Sequence, residues 1–350
     1  MWDIIVIGAG PASASFGSSI ASSGLKIMII DGQTEDRPKP CGGLLAPDAQ
    51  KILARFDFTL PKSVLADPQI FSVKTMDLET RQVRFYQRYY LNMDRLAFDR
   101  LMLSHVPESI TIVTGRCLKI DRCEKGFLLH VLTPEGEKSF KTRRIVGADG
   151  SSSIVRRTFF PDKKIMKYVA IQQWFQYKNA GAPFYSCIFD QKTSESCSWI
   201  IHKNSSLIYG GCFAPKNCRR AFEEQKKRLM EISGLDLSSP VRTEACLASR
   251  PRSFRDFVTG KDGIYLIGEA AGFISPSSFE GISSAIKSGH MLARAFNNAG
   301  TCESRISAAY RRNALGLKMK LFLKTKKRWF MYTPWVRHLI MKTGLNSIKR

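Results

Sequence analysis

The chain has 350 residues, 44% of them hydrophobic, enough for a sizeable core in two domains or one large α/β body. Its 54 Lys/Arg against 30 Asp/Glu leave a net charge of +24, yet no recognised nucleic-acid fold accompanies the excess, so nucleic acid is not the expected partner. Nine cysteines without a Cys-x-x-Cys argue against a disulfide framework and point to reduced thiols in a cytoplasmic setting; the five scattered histidines offer no metal-ligand pair, and no secretory signal or spanning stretch is visible.

Asp3-Ile4-Ile5-Val6-Ile7 is an apolar, β-branched run that reads as a buried parallel strand. It enters Gly8-Ala9-Gly10-Pro11-Ala12-Ser13, then a helix to about Ser23 and a second strand from Lys26 that ends at Asp31. Gly8 permits the tight turn, and Gly10 lets backbone N–H groups reach a pyrophosphate at the start of the helix opened by Pro11 and Ala12. Asp31, 21 residues after Gly10, is the carboxylate expected on an adenosine ribose. Ser13 stands where a third glycine is usual.

Gln69 to Val73 and Val83 to Tyr90 read as strands, and Thr111 to Ile120 as another. Ile145-Val146-Gly147-Ala148-Asp149-Gly150 is again a strand feeding a glycine-flanked aspartate; by itself it also fits a plain turn. Val169 to Tyr177, Phe184 to Phe189, Cys197 to His202 and Leu207 to Phe213 follow as strands of an antiparallel sheet, with a charged helix at Ala221 to Ile232.

The strand Ile264 to Ile267 meets Gly268-Glu269, and Pro276 and Gly281-Ile282 precede a helix of small residues. A glycine leaves room for a ligand, a carboxylate accepts from hydroxyls, and a helix start favours negative charge. Those features suit a flavin's ribityl chain at Gly268-Glu269 and its ring edge at Gly281-Ile282. Taken alone, the run is also a buried strand-turn-helix of any α/β protein.

Residues 301–350 hold 13 Lys/Arg against one acid, Glu303, which is half the net charge. Leu315, Met319, Phe322 and Leu323 follow helical spacing among lysines, and Trp329, Phe330, Met331, Tyr332 and Trp335 come next, broken at Pro334. Residues 311–350 thus fit a basic amphipathic segment on an anionic membrane surface. The alternative is a C-terminal helix packed on its own body with solvated lysines.

The three glycine motifs, in this order and spacing, resemble the FAD-dependent flavoproteins of the p-hydroxybenzoate hydroxylase fold. Pro40-Cys41-Gly42-Gly43-Leu44-Leu45-Ala46-Pro47 and the run 268–289 resemble the geranylgeranyl reductase family, and within it the colicin M resistance (CbrA-type) branch. The likeness covers roughly residues 1–300. It implies an α/β (α+β) architecture: a Rossmann-like FAD-binding domain at 1–65, 94–160 and 250–300, an antiparallel-sheet substrate domain at 66–93 and 161–249, and the basic tail at 301–350. It further implies that Arg95 lies near the FAD phosphates, that Cys117 contacts adenine through its backbone, and that Asp149 matches the family's Asp-Gly pair. Cys41, Gly42 and Gly43 would border the flavin. Glu269 replaces the usual aspartate, and Phe279-Glu280-Gly281-Ile282 replaces Gly-Glu-Gly-Ile.

From the resemblance we expect an oxidoreductase that passes a hydride from FAD to a C=C bond of an isoprenoid or other apolar or lipid substrate. Cys41 is the candidate nearest the reacting face and His202 a second acid candidate. Trp174, Tyr185, Trp199 and Phe213 are the expected substrate wall. No second dinucleotide motif is visible, so NAD(P)H would dock transiently, or a protein electron carrier would serve. The rival readings are a flavin monooxygenase or halogenase, and a non-catalytic FAD-bearing lipid-binding protein at a membrane surface.

Overall fold

The computed structural model describes residues 1–20, 24–32, 40–177 and 184–348. The expected helix end near Ser23 lies outside the described residues. In chain order the strands are β1 (Trp2–Ile7), β2 (Ile27–Asp31), β3 (Leu44–Leu45), β4 (Ile70–Asp77), β5 (Val83–Asn92), β6 (Thr111–Thr114), β7 (Arg116–Cys123) and β8 (Gly126–Thr133). They continue with β9 (Gly136–Gly147), β10 (Met166–Gln176), β11 (Phe184–Phe189), β12 (Ser198–Lys203), β13 (Ser206–Phe213), β14 (Arg242–Arg250), β15 (Gly260–Lys261) and β16 (Ile264–Leu266). The α-helices are α1 (Pro11–Ile20), α2 (Pro47–Arg55), α3 (Arg95–Ser104), α4 (Ile154–Phe159), α5 (Cys218–Ser233), α6 (Ile282–Ala299), α7 (Glu303–Tyr332) and α8 (Pro334–Thr343).

Two units form. The first comprises Met1–Pro38, Phe98–Met166 and Ser249–Leu323. Its sheet runs β15-β16-β9-β1-β2-β6, with β7 and β8 added beyond β9. β1 is central and parallel to both β2 (Ile5 opposite Met28) and β9 (Ile5 opposite Ile145). A strand covered on both faces needs apolar residues at every position, and Ile4 to Ile7 are all buried. The stretch expected as one strand from Thr111 to Ile120 is two, β6 and β7. They part at Gly115, where a Cβ would stand 2.8 Å from Val131 and whose N–H donates to the Asp31 carbonyl at 2.8 Å.

Helix α6 owes its small residues to α1. A Cβ on Gly289 would overlap the Ala12 carbonyl oxygen, and one on Gly268 would stand 3.0 Å from the Ala12 Cβ. The contact is sealed by Phe16 edge-on to Phe296 at 6.0 Å and by the Ser15 hydroxyl, which donates to the Ile286 carbonyl.

The second unit comprises Lys39–Ala97, Lys167–Ala248 and Lys324–Arg350. Its sheet runs β14-β10-β13-β12-β11-β4-β5-β3. The strand pattern led us to expect antiparallel pairing throughout, but β11 lies parallel to β4 (Cys187 opposite Thr75). The described segment 40–65, grouped with the dinucleotide-binding pieces on sequence, sits in this unit. Its short β3 joins the sheet edge, with Leu44 opposite Asn92 and Leu45 opposite Leu91.

Each face of this sheet has its own cover. Ile171, Phe175, Ile188, Ile200, Tyr209 and Phe213 form one core with Phe222 and Leu229 of α5. On the other face Val73, Tyr90, Cys187 and Phe189 pack with Met331 and Tyr332 at the end of α7. Pro334 starts α8 directly after that end, since proline is tolerated in a first helical turn. The buried Arg337 of α8 donates from Nε to Asp77 Oδ2 at 2.7 Å and lies over the Phe189 ring. Among the described residues no helix is long and apolar enough to cross a membrane.

Candidate active site

In the first unit, three sequence motifs meet at the carboxyl ends of parallel strands, the edge where open α/β sheets bind ligands. Gly8, at φ +100°, follows β1, and its N–H donates to the Ile30 carbonyl. A Cβ there would stand 2.6 Å from the Ala148 carbonyl oxygen, so the first turn rests directly on the second motif. Ile267 N–H donates to the Gly147 carbonyl and ties in the third. Gly10 differs from Gly8: a Cβ there would meet nothing within 4 Å, and the same holds at Gly150. Open space therefore stands over the glycine before Pro11 and Ala12 of α1. Asp31 ends β2. Ser13, at the third glycine position, is fully buried.

Asp149 Oδ2 accepts from the Ile154 N–H at 2.6 Å, while Oδ1 is buried without a hydrogen-bond partner. Burial raises its pKa above the usual carboxylate range. Burial, and then the Asp149 charge, push the Cys117 thiol up to about 12, so Cys117 stays a neutral thiol beside that carboxyl. An open glycine floor and an orphaned acceptor fit a polyhydroxylated, phosphate-bearing dinucleotide.

The third motif departs from expectation in an informative way. Glu269 Oε1 accepts from the Ser249 N–H at 2.8 Å, so its extra methylene reaches the end of β14. The buried Arg250 donates from Nε to the Pro276 carbonyl at 3.0 Å and lies over the Phe279 ring. Phe279, at the position where the resemblance led us to expect glycine, has a left-handed backbone at φ +54°. Gly281 then caps α6, which opens at Ile282. Both Phe279→Ala and Phe279→Gly remove the ring over Arg250, but only alanine retains a strained Cβ. We expect Phe279→Gly to be more stable than Phe279→Ala by about 1 kcal/mol in chemical denaturation, the reverse of the order in a helix.

In the second unit, the loop 40–43 is held residue by residue. Cys246 Sγ donates to the Pro40 carbonyl at 3.8 Å, Gln172 Nε2 to the Cys41 carbonyl at 3.5 Å, and the Gly43 N–H to Cys41 Sγ at 3.4 Å. A Cβ on Gly42 would collide with Ile201 Cδ1; one on Gly43, at φ +65°, would collide with the Met93 carbonyl. Lys203 is 5% exposed, and its three ammonium protons have three acceptors: Asn92 Oδ1 at 2.8 Å, Met93 O at 2.5 Å and Gly43 O at 3.4 Å. Burial lowers its pKa to about 8, against the pull of Cys41 and Asp94.

Trp199 lies over Gly210, where a Cβ would stand 2.7 Å from the indole Nε1, and that N–H is buried without a hydrogen-bond partner. Gln172, Gly210 and Trp199 form one row across β10, β13 and β12. Gln172 Nε2 also donates to Glu244 Oε2 at 2.7 Å, and Trp174 Nε1 donates to the same oxygen at 2.9 Å. Arg242 Nε donates to the other oxygen of Glu244 and stacks on Trp174 at 4.2 Å. Tyr185 meets Tyr90 edge-on at 5.1 Å on the same face.

Two residues expected beside Cys41 and Trp199 lie on the opposite face of this sheet. His202 is one residue from Ile201 along β12, and strand alternation turns it to the α5 face, edge-on to Tyr177 at 5.0 Å. Burial lowers its pKa. It therefore does not stand with Cys41. Phe213 is fully buried against Phe222 on that same far face and forms no wall with Trp199. Arg95 opens α3 in the second unit, beside Asp94, whose Oδ1 accepts from the Ala97 N–H. Lys203, Gln172, Asn92 and Glu244 are polar groups of this face that were not among the expected site residues. The available signal was a polar residue interrupting an apolar strand, as Lys203 does after Ile200-Ile201.

A parallel sheet with a glycine cradle at its carboxyl edge, plus a second large sheet carrying the Cys41 loop, is the architecture of FAD-dependent oxidoreductases of the p-hydroxybenzoate hydroxylase-like fold. A geranylgeranyl bacteriochlorophyll reductase-like protein from Thermoplasma acidophilum superposes with a TM-score of 0.76, over 97% of this chain and 98% of that one, at 15% identity. A triple mutant of the flavin-dependent brominase Bmp2 gives 0.72, over 98% and 94%, at 17% identity. At such identities the likeness is one of fold. No family model matches the chain. In sequence, Protein CbrA of Escherichia coli O6:H1 (strain CFT073) is 40% identical over 352 residues, covering 99% of this chain and 94% of its own length. The chain belongs to the CbrA family, the branch to which the Pro40–Pro47 run pointed.

Proposed function

We propose that this protein is an FAD-dependent oxidoreductase that reduces C=C bonds of an isoprenoid or other apolar substrate. The observation that carries the cofactor is the pairing of an unfilled glycine, Gly10, with an orphaned buried acceptor, Asp149 Oδ1, at the carboxyl edge of the parallel sheet. Gly8, Gly10, Pro11 and Ala12 would hold the pyrophosphate, Asp31 the adenosine ribose, Asp149, Gly268 and Glu269 the hydroxylated chain, and Gly281 and Ile282 the polar edge of the ring. FAD bound there, reduced by NAD(P)H or a protein carrier, supplies the hydride for an unsaturated carbon.

The remaining work falls to the chain's own groups. The aromatic face of Trp174, Tyr185 and Trp199 supports an apolar ligand and excludes water. Lys203, Gln172 and Cys246 fix the loop so that Cys41 Sγ keeps one position; Cys41 is the group proposed to deliver the proton to the second carbon. Lys203 Nζ has all three protons engaged and acts by positioning.

The test is anaerobic reoxidation of the photoreduced protein by polyprenyl lipids, with mass spectrometry of the lipid. The expected result is substrate-dependent reoxidation and gain of two hydrogens per reduced double bond, slowed in Cys41→Ser. Oxygen-dependent hydroxylation or halogenation would replace this reading with monooxygenase or halogenase chemistry, consistent with the brominase-like fold. A flavin inert to NAD(P)H, dithionite and ferredoxin-like donors would favour a non-catalytic lipid-binding role.

A further inference from the structure

We propose that the C-terminal part of the second unit, residues 324–348, is a docking surface for an anionic lipid bilayer, lying on the membrane without crossing it. Trp335 is 66% exposed, Trp329 55% and Phe330 53%, and Leu339, Ile340, Leu345 and Ile348 are exposed with them. Tryptophan is normally well covered in a folded protein, so two bare indoles within seven residues need an occupant.

These side chains do not project from a loose tail. The opposite sides of the same helices are fixed: the Cys197 N–H donates to the Tyr332 hydroxyl, Tyr332 packs on Phe189, Arg337 pairs with Asp77, and Val336 and Met341 are buried. The inner face of α8 is thus spoken for. Its outer face presents Trp335, Leu339 and Lys342 at i, i+4 and i+7, and in α7 Trp329 and Phe330 touch at 5.0 Å. A second apolar pair stands nearby. Phe71 and Tyr89 are exposed and edge-on at 6.5 Å; α2 lies beside them through Gln50, which donates to the Tyr89 carbonyl, and reaches α7 through Asp48 and Lys324.

Charge selects the occupant. Lys324, Lys326, Lys327, Arg328 and Lys342 flank the aromatic residues, and no Asp or Glu occurs after Glu303. A second copy of this chain would bring two such basic surfaces together, which disfavours self-association. Nucleic acid would match the charge but gives Leu339, Ile340, Leu345 and Ile348 no apolar medium to enter. An anionic bilayer offers both: headgroup charge for the bases and the acyl boundary for the indoles and aliphatics. Since no described helix is long and apolar enough to span, the segment lies in the interface.

The test is flotation of the full chain with vesicles of phosphatidylcholine alone and of phosphatidylcholine with phosphatidylglycerol, with sedimentation velocity in parallel. The expected result is flotation with the anionic vesicles only, reversed by high salt. Trp329→Ser/Trp335→Ser and Lys326→Glu/Lys327→Glu should each lower the apparent partition about tenfold or more while leaving thermal unfolding and bound flavin unchanged. Equal binding to both vesicle types, equal binding of wild type and the folded variants, dimerisation without flotation, or displacement of the vesicles by duplex DNA would each overturn the proposal. None of these readouts depends on turnover, so the surface stands or falls apart from the proposed reduction.

Discussion

Alanine at Gly10 is expected to weaken binding of the proposed FAD while leaving the apoprotein as stable as before, and alanine at Gly8 is expected to destabilise the apoprotein itself. The two glycines are two residues apart and do different physical jobs. At Gly10 a Cβ meets nothing within 4 Å, so the apo chain has no reason to object. The open space is what a diphosphate would occupy. Losing two backbone N–H contacts to a charged oxygen, at about 1.5 kcal/mol each, lowers affinity on the order of 100-fold. At Gly8 the backbone is at φ +100° and the Cβ would press on the Ala148 carbonyl at 2.6 Å. Strain and overlap together cost at least about 2 kcal/mol. Apo melting curves and flavin-fluorescence titrations separate the two effects. Equal behaviour of the two variants would remove the case for a dinucleotide at this edge.

Lys203→Met is expected to be the most damaging single change in the second unit. It removes three donors and leaves Asn92 Oδ1 and the Met93 carbonyl buried without partners, at about 1–3 kcal/mol each, while the Gly43 carbonyl keeps the Met93 N–H. The loop carrying Cys41 would lose the lysine contact at Gly43 and keep only its backbone one, so activity should fall further than stability. The pH dependence has a definite sign. The folded pKa of Lys203, about 8, lies below the ordinary lysine value, so above about pH 8 the unfolded chain binds the extra proton. Burying the charge is therefore most unfavourable below pH 8, and that penalty is relieved as pH rises from about 8 towards 10.5. The stability difference between wild type and Lys203→Met should change across that window in the wild type's favour. A difference that is flat with pH would mean that Lys203 titrates normally.

The first unit was legible because its signals are local. A β-branched run, a glycine turn and an acid at the end of the next strand leave little freedom, and β1, α1 and β2 form where those residues stand. The second unit was harder for a specific reason. Ile200 and Ile201 are equally buried on opposite faces of β12, so the alternation that tells inside from outside disappears. Without it, His202 and Phe213 could not be placed on the far side from Trp199. β3 is two residues long, too short to carry a periodic signal, yet it ties 40–65 to the second unit. Phe279 shows the converse. A phenylalanine in place of the glycine that the reductase resemblance led us to expect looks on sequence like a lost turn, while the backbone keeps the left-handed geometry and supports the bulky ring over Arg250.

The seat of α1 on α6 bears on how such a chain can be taken apart. The first strand, glycine turn and helix look like a cassette complete within thirty residues. But Ala12 rests against Gly268 and Gly289, so the wall that sets the height of the turn is encoded near the other end of the gene. A fragment ending before α6 would carry every glycine of the first motif and still lack the surface that aims it. Grafting or splitting the protein therefore has to move both ends together, and inherited drift at position 289 acts on the cofactor motif as directly as drift at position 12.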